Sequence, residues 1–293
     1  MTAPSIFDRA AIARHLRRAQ TIPTDDEPHP LVARIEEDVA DRIAGVLRDF
    51  SRGVVLAPFQ TRLAATLTGL ERVGPMSTAS PLVGWPGTDA IVDDEALPLG
   101  PASVDLLISL LSLQATNDLP GALVQARRAL RPDGLFFAVV FGEATLRELR
   151  DIMLRAESVM TGGASPRVAP FAGVRDLGGL LQRAGFALPV IDNDVIEITY
   201  SSSTALFQEL RGFGLANPLA DRARQFFRRD VLGEAMRLYA QTYGDSDGRI
   251  PATVELVTLT GWAPDESQPK PLAPGSATTR LADVLGTSSS TTD

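Results

Sequence analysis

The sequence predicts an α/β fold built around a mainly parallel sheet, and two observations carry that expectation. Val104-Asp105-Leu106-Leu107-Ile108-Ser109-Leu110-Leu111 and the run from Leu135 to Phe141 are near-continuous apolar stretches of strand length. A strand covered on both faces reads this way, whereas a half-exposed one alternates. Segments of helical period separate such runs, and strands alternating with helices imply βαβ units. With 293 residues, 44% of them hydrophobic, the chain can form one large α/β domain or a domain with an appended subdomain.

Residues 1–30 read as a polar arm with one short helix, closed by Pro28-His29-Pro30. From Leu31 to Phe50, Val32, Ile35, Val39, Ile43 and Val46/Leu47 recur at helical spacing. Gly53 to Ala57 is a short buried strand, and Arg62 to Leu67 begins a helix that runs to about Leu70. The segment Val73 to Gly87 is broken by Pro75, Pro81 and Pro86 and gives no clear element, while Ala90-Ile91-Val92 suits a short strand. Asp118 to Leu130 is a helix with Leu119, Leu123, Ala126 and Leu130 on one face. Arg127, Arg128 and Arg131 lie at its C-terminal end, where cations favour the macrodipole. Pro132-Asp133-Gly134 then turns the chain. Thr145-Leu146-Arg147-Glu148 has capping-box spacing and opens a helix towards Met160. A loop from Thr161 to Pro170 leads to a helix from Val174 to Ala184, with Gly185 placed to cap its end. Leu188 to Tyr200 is strand-like, Thr204 to Tyr243 is mostly helical, and Thr253 to Trp262 is a last, alternating strand. The main domain is expected over residues 31–262 with a helical insertion at 201–249, and residues 263–293 form a flexible Pro-, Ser- and Thr-rich tail.

Composition excludes several chemistries. The net charge of -8 argues against nucleic acid as a partner. Cysteine is absent and only His15 and His29 occur, both before the first strand, so a disulfide framework, thiolate chemistry and a multi-His metal site are not expected. No apolar run approaches the ~18 residues of a membrane span. Arg9, Arg14, Arg17 and Arg18 are followed by no apolar signal core, and the acidic Asp8 and Asp25-Asp26-Glu27 do not suit a transit peptide. The expectation is a soluble protein of a reducing cytoplasm.

The most informative stretch is the turn after the first strand, Pro58-Phe59-Gln60-Thr61. In nucleotide-type α/β folds a cofactor lies there against bare backbone, and glycine permits the close approach. Here a proline removes an N–H donor and two side chains bring bulk.

The order of several motifs is that of one family. They are the Ile6-Phe7-Asp8-Arg9 opening, Asp94-Glu95-Ala96-Leu97-Pro98, Asn117-Asp118-Leu119-Pro120, Leu130 to Gly134, Phe141 to Arg150, Asp176 to Phe186 and the Gly275 to Thr278 tail. Nearly the whole chain resembles the class I S-adenosylmethionine-dependent methyltransferases of the methyltransferase type 11 group. Within that group it is most similar to the mitochondrial complex I assembly factor 5 family and the bacterial malonyl-carrier methyltransferases. The resemblance implies a Rossmann-like sheet of seven strands, mostly parallel with the last antiparallel, and S-adenosylmethionine across the ends of the first strands. The family's cofactor positions fall on Leu56, Ala57, Pro58, Phe59, Asp93, Asp94 and Ser109. Three departures stand out against that pattern: the Gly-x-Gly-x-Gly turn is replaced, no carboxylate ends the second strand near Met76 to Ser80, and the His-Trp pair after the fourth strand is Gln114-Ala115.

Each candidate has a plain alternative. Asp93-Asp94-Glu95 is an adenine-contacting loop or a solvated acidic one, and Asn117-Asp118 is a ligand contact or a helix N-cap. Glu143 is a general base or substrate contact beyond a strand end, or a helix-dipole partner. Arg167, near Gly162-Gly163, is available to an anionic group or belongs to a connector. The arginines from Arg9 to Arg18 are a solvated helix face, or an arm folded over the site as in the family. Asp245-Ser246-Asp247-Gly248 lacks the spacing of a calcium loop and reads as a turn, and Gly212-Phe213-Gly214 follows no strand. Two functions fit: a degenerate methyltransferase-fold protein that binds a partner, by resemblance a respiratory complex I subunit, or a working S-adenosylmethionine enzyme with a rebuilt seat. The second would perform methyl transfer or protein-arginine hydroxylation.

Overall fold

The computed structural model describes residues 5–22, 29–223 and 227–269. Its sheet has β1 (Gly53–Leu56), β2 (Met76–Pro81), β3 (Ala90–Val92), β4 (Val104–Leu110), β5 (Leu130–Phe141), β6 (Ala187–Tyr200) and β7 (Ile250–Trp262) in the order β3-β2-β1-β4-β5-β7-β6. Strands β1 to β5 pair in parallel, and β7 runs antiparallel to both β5 and β6. The expected seven-stranded sheet with its last strand reversed is therefore present.

Two cores cover the faces of this sheet. Helices α2 (Pro30–Ala44) and α3 (Leu63–Thr68) bury Ile35, Val39, Leu63 and Leu67 against Val55, Ile108 and Phe137. On the other face α4 (Leu119–Ala129) and α6 (Val174–Arg183) bury Leu123, Ala126, Leu177 and Leu181 against Leu56, Leu107 and Phe136. Strand β4 is buried at all seven positions, as its unbroken apolar run requires. A third core joins α5 (Arg147–Thr161), α7 (Ser203–Gly212) and α8 (Arg229–Tyr243) to the ends of β6 and β7. The N-terminal arm carries α1 (Arg9–Ala19), capped by the Asp8 carboxylate.

Several expectations need correction. Pro132-Asp133-Gly134 does not precede β5 but lies within it: Asp133 adopts φ 58° and the β4–β5 register shifts between Val104 and Leu106. The proline-broken segment after Val73 yields β2, with Pro75 just before it and Pro81 at its end. Strand β7 does not alternate, because β5 and β6 flank it and both cores cover it, so it is buried almost throughout. The Thr204 to Tyr243 region divides into α7 and α8, and positions 224–226 and 270–293, most of the expected tail, lie outside the described residues.

Thr145 and Glu148 do not form a capping box. The residue before α5 is Leu146, at φ 56°, with no side-chain cap. Thr145 instead donates its hydroxyl to Glu255 O at 3.1 Å and accepts from Glu255 N–H at 3.0 Å. Glu148 accepts from Thr253 N–H at 3.0 Å and from its hydroxyl. The same spacing thus cross-links α5 to β7.

At the opposite edge from the candidate site, Asp105 begins β4 and accepts from Ser51 N–H at 3.0 Å and Arg52 N–H at 3.1 Å, with Arg131 Nη1 at 3.3 Å. Burial acts to raise its pKa, but the Ser51 hydroxyl, Arg131 and the two amides outweigh it and hold the value below the usual range. Its native value lies below its unfolded one, so the ionised group stabilises fully above about pH 4 and loses that effect as pH falls through the native value. Asp105→Asn should cost about 1–2 kcal/mol at pH 7 in urea unfolding, a difference that closes in acid.

Candidate functional site

The C-terminal edge of β1, β2 and β4 is where open α/β sheets take ligands. Leu56 pairs with Ala79 on one side and Ser109 on the other, and Ala57 N–H donates to Ala79 O at 3.1 Å. Beyond it, Pro58 and Phe59 are half-buried, and Phe59 packs against the α2 and α3 core. The next residues are pinned from α2: Glu36 accepts from the Thr61 hydroxyl and from Arg62 N–H at 3.1 Å. The Thr61 hydroxyl and the Arg62 amide are thus spent inside the protein.

The acidic loop is equally committed, and by Arg9 of the arm, whose arginines read as a solvated helix face or as an arm folded over the site. Arg9 is only 19% exposed at its side chain; its guanidinium contacts Asp94 and Asp93 (2.7 Å) and lies 3.7 Å from Glu95. Asp94 is 1% exposed and also accepts from the Ser112 hydroxyl. Glu95 accepts from Asn117 N–H at 2.6 Å. Asn117 does not cap α4 with Asp118; its Oδ1 accepts from Phe7 N–H at 2.8 Å, and Asp118 alone caps, accepting from Gly121 N–H at 2.9 Å. The arm's far side is held where Asp8 meets Arg222 at 2.9 Å and Asp8 N–H donates to Pro218 O at 2.8 Å. Arg9 thus fills the acidic corner of the seat.

An adenosyl group does not fit the residues as they stand. The turn carries a proline without an N–H and the side chains of Phe59 and Gln60 in place of glycines, β2 ends in Ser80-Pro81 without a carboxylate, and the carboxylates after β3 neutralise Arg9. One observation runs the other way. The buried hydroxyls of Ser80 and Ser109, flanking the end of β1, and of Thr116 have no hydrogen-bond partner. Buried polar groups without partners are uncommon.

A cavity of about 310 Å³ opens beyond the β4–α4 loop, between the end of β5, strands β6 and β7, α5 and α7. Phe141, Leu149, Leu206 and Phe213 are among its walls, Gln114 and Ala115 form part of its edge, and Phe7 and Ile12 of the arm help close it. Most polar side chains on its lining are already engaged. Glu209 accepts from the Tyr200 hydroxyl at 2.5 Å and stands 3.3 Å from His29 Nε2. Burial raises Glu209, but the His29 and Tyr200 hydrogen bonds outweigh it and lower its pKa, while burial and then Glu209 push the Tyr200 phenol up. Arg167 is not open to an anion: it pairs with the buried Glu157 and lies 4.6 Å over the Phe227 ring.

Of the sequence-nominated residues, Leu56, Ala57, Ser109, Asp93 and Asp94 gather at the strand ends. Pro58 and Phe59 follow β1 as expected. Arg167 lines the cavity but is occupied, and Glu143 is exposed and outside its lining. Glu36 and Glu209 were not singled out. Arg9 entered the sequence reading with the arginine run, as a solvated helix face or an arm folded over the site, and the structure places it on Asp93 and Asp94.

Comparison with known proteins places this geometry. Residues 51–138 match a family described as "Methyltransferase domain". The chain is 32% identical over 288 residues to "Arginine-hydroxylase NDUFAF5, mitochondrial" of Danio rerio, covering 96% of this chain and 89% of the relative. It is 31% identical over 245 residues to "Malonyl-[acyl-carrier protein] O-methyltransferase" of Xylella fastidiosa, covering 80% of this chain and 81% of that protein. The solved structure of the YcgJ protein of Bacillus subtilis shares the fold at a TM-score of 0.52 and 11% identity, over 79% of this chain and 99% of that one. By sequence and by sheet topology, the chain belongs to the class I methyltransferase-fold family that includes arginine-hydroxylase NDUFAF5 and the malonyl-carrier methyltransferases.

Proposed function

We propose that this protein acts by binding rather than by methyl transfer: a cytoplasmic assembly factor whose adenosyl seat has been taken over by its own chain. Kinship to NDUFAF5 supports a protein partner, a subunit of the respiratory NADH dehydrogenase being the first candidate. The observation that carries the reading is the Arg9 clamp. A guanidinium neutralises Asp93 and Asp94 in the corner where an adenosyl ligand would lie, while Glu36 holds the turn shut. Calorimetry with purified protein is expected to detect no S-adenosylmethionine binding in the micromolar range, and micromolar binding would sink the reading.

A second reading rests on the partnerless hydroxyls of Ser80, Ser109 and Thr116. If these await a ligand, the protein is an S-adenosylmethionine enzyme with a rebuilt seat, a methyltransferase or protein-arginine hydroxylase. Binding would then survive or improve in Phe59→Gly and Gln60→Gly, since Phe59 is only half-buried and Gln60 is exposed. A null titration for those variants as well as the natural chain removes this alternative.

A further inference from the structure

The 310 Å³ cavity adjoins the filled seat, where Ala115 O on its lining accepts from Arg9 Nη1 at 3.4 Å, and has a chemistry of its own. Protein interiors leave few voids larger than a water molecule, and a concave apolar site of this volume lies at the small end of ligand pockets, roughly 300–1,000 Å³. Its walls include the sheet at Phe141, α5 at Leu149 and Met153, and α7 at Leu206. The family's Trp position is Ala115 here, and that residue lines the cavity.

The polar rim decides what kind of apolar ligand enters. Glu209 accepts from the Tyr200 hydroxyl and stands 3.3 Å from His29 Nε2, and Arg167 is paired with Glu157. Thr145 is bonded to Glu255, and Asn217 donates to Pro166 O and accepts from Leu219 N–H. Arg211, at the end of α7, differs from them. It lines the cavity, is exposed, and makes no side-chain hydrogen bond or ion pair among the described residues. Arg211 is therefore the cation of this lining left without an anionic partner among the described residues.

We propose that this cavity is a binding site for a single-chain anionic amphiphile, its apolar chain among Leu149, Met153 and Leu206 and its head at Arg211. At about 30 Å³ per water-sized group, 310 Å³ holds a chain of about ten carbons. Leu149, Met153, Leu206 and Arg211 are not residues of the adenosyl seat, so binding here is tested apart from the reading above.

Isothermal titration of the purified protein with octanoate, decanoate and dodecanoate tests it. Each added methylene is expected to tighten binding about fourfold up to about ten carbons, with little gain beyond. Decanol should bind at least fivefold more weakly than decanoate, and decyl phosphate should bind if charge rather than carboxylate shape is recognised. Arg211→Glu, an exposed substitution, should weaken decanoate at least fivefold and leave decanol within twofold. Met153→Trp fills the cavity from a half-buried position and should abolish binding of all three acids, with the melting curve confirming a folded protein. Absence of decanoate binding, equal affinities for decanol and decanoate, or unchanged binding in a folded Met153→Trp protein would each overturn the proposal. Failure of decyl phosphate alone restricts the head to a carboxylate.

Discussion

Replacing Glu148 by Ala is expected to destabilise the protein by about 3–5 kcal/mol, because it strips the partner from buried polar groups. Glu148 is 3% exposed and Thr253 is fully buried. The carboxylate accepts from Thr253 N–H and its hydroxyl, and Arg147 Nε stands 3.0 Å away. Glu148→Gln keeps the volume and should cost less, about 1–2 kcal/mol in urea unfolding at pH 7. The pH dependence separates charge from shape. Burial would raise the Glu148 pKa, but the Thr253 donors and Arg147 outweigh it and set it below 4.5. A group depressed in the native state stabilises fully above its unfolded value and loses that effect as pH falls through the native one. The gap between the natural chain and Glu148→Gln should therefore close below about pH 4.5. A gap that stays constant into acid would mean that packing of α5, not the ionised carboxylate, holds this junction.

Arg9→Ala should cost about 2–4 kcal/mol, and the reason lies in its partner. Asp94 is 1% exposed, so removing the guanidinium leaves a buried carboxylate supported by Ser112 but without a counter-charge. Pairing the change with Asp94→Asn should restore part of the loss, giving a coupling energy of about 1–3 kcal/mol in a double-mutant cycle. The arm itself supplies a second readout. Arg14, Arg17 and Arg18 are exposed trypsin sites whose cleavage needs α1 to detach. Arg9→Ala should raise the rate of cleavage there, and Asp8→Ala should do the same by releasing Arg222. Additive losses at Arg9 and Asp94, with no change in cleavage, would mean that Phe7 and Asn117 anchor the arm without the clamp.

Where a feature depended on local pattern, it was legible from residue order. The apolar run at Val104 to Leu110 became a central strand, and the periodic Ile35, Val39 and Ile43 became a helix packed on one face of the sheet. Asp118 and Gly185 took the cap positions their residue types prescribe, Asp118 as an N-cap and Gly185 at φ 83° after α6. The loss of the glycine turn was visible too, because Pro58 and Phe59 bring a fixed ring and bulk wherever the chain goes. The errors share a cause. Thr145 and Glu148 have spacing that suits a cap equally well, and whether they cap depends on whether Thr253 and Glu255, more than one hundred positions away, come within reach.

Residue order by itself determined the class of sheet, the family and the altered turn, since each rests on short-range pattern and side-chain type. Only the tertiary structure decided who occupies the seat and where a cavity remains. Arg9 meets Asp94 across a separation of 85 positions, and Arg211 stays open while Arg167 is neutralised. The physical reason is that a charge acquires its role from the partners and the solvent left around it. Those are set by how distant elements pack, and no local stretch of sequence records them.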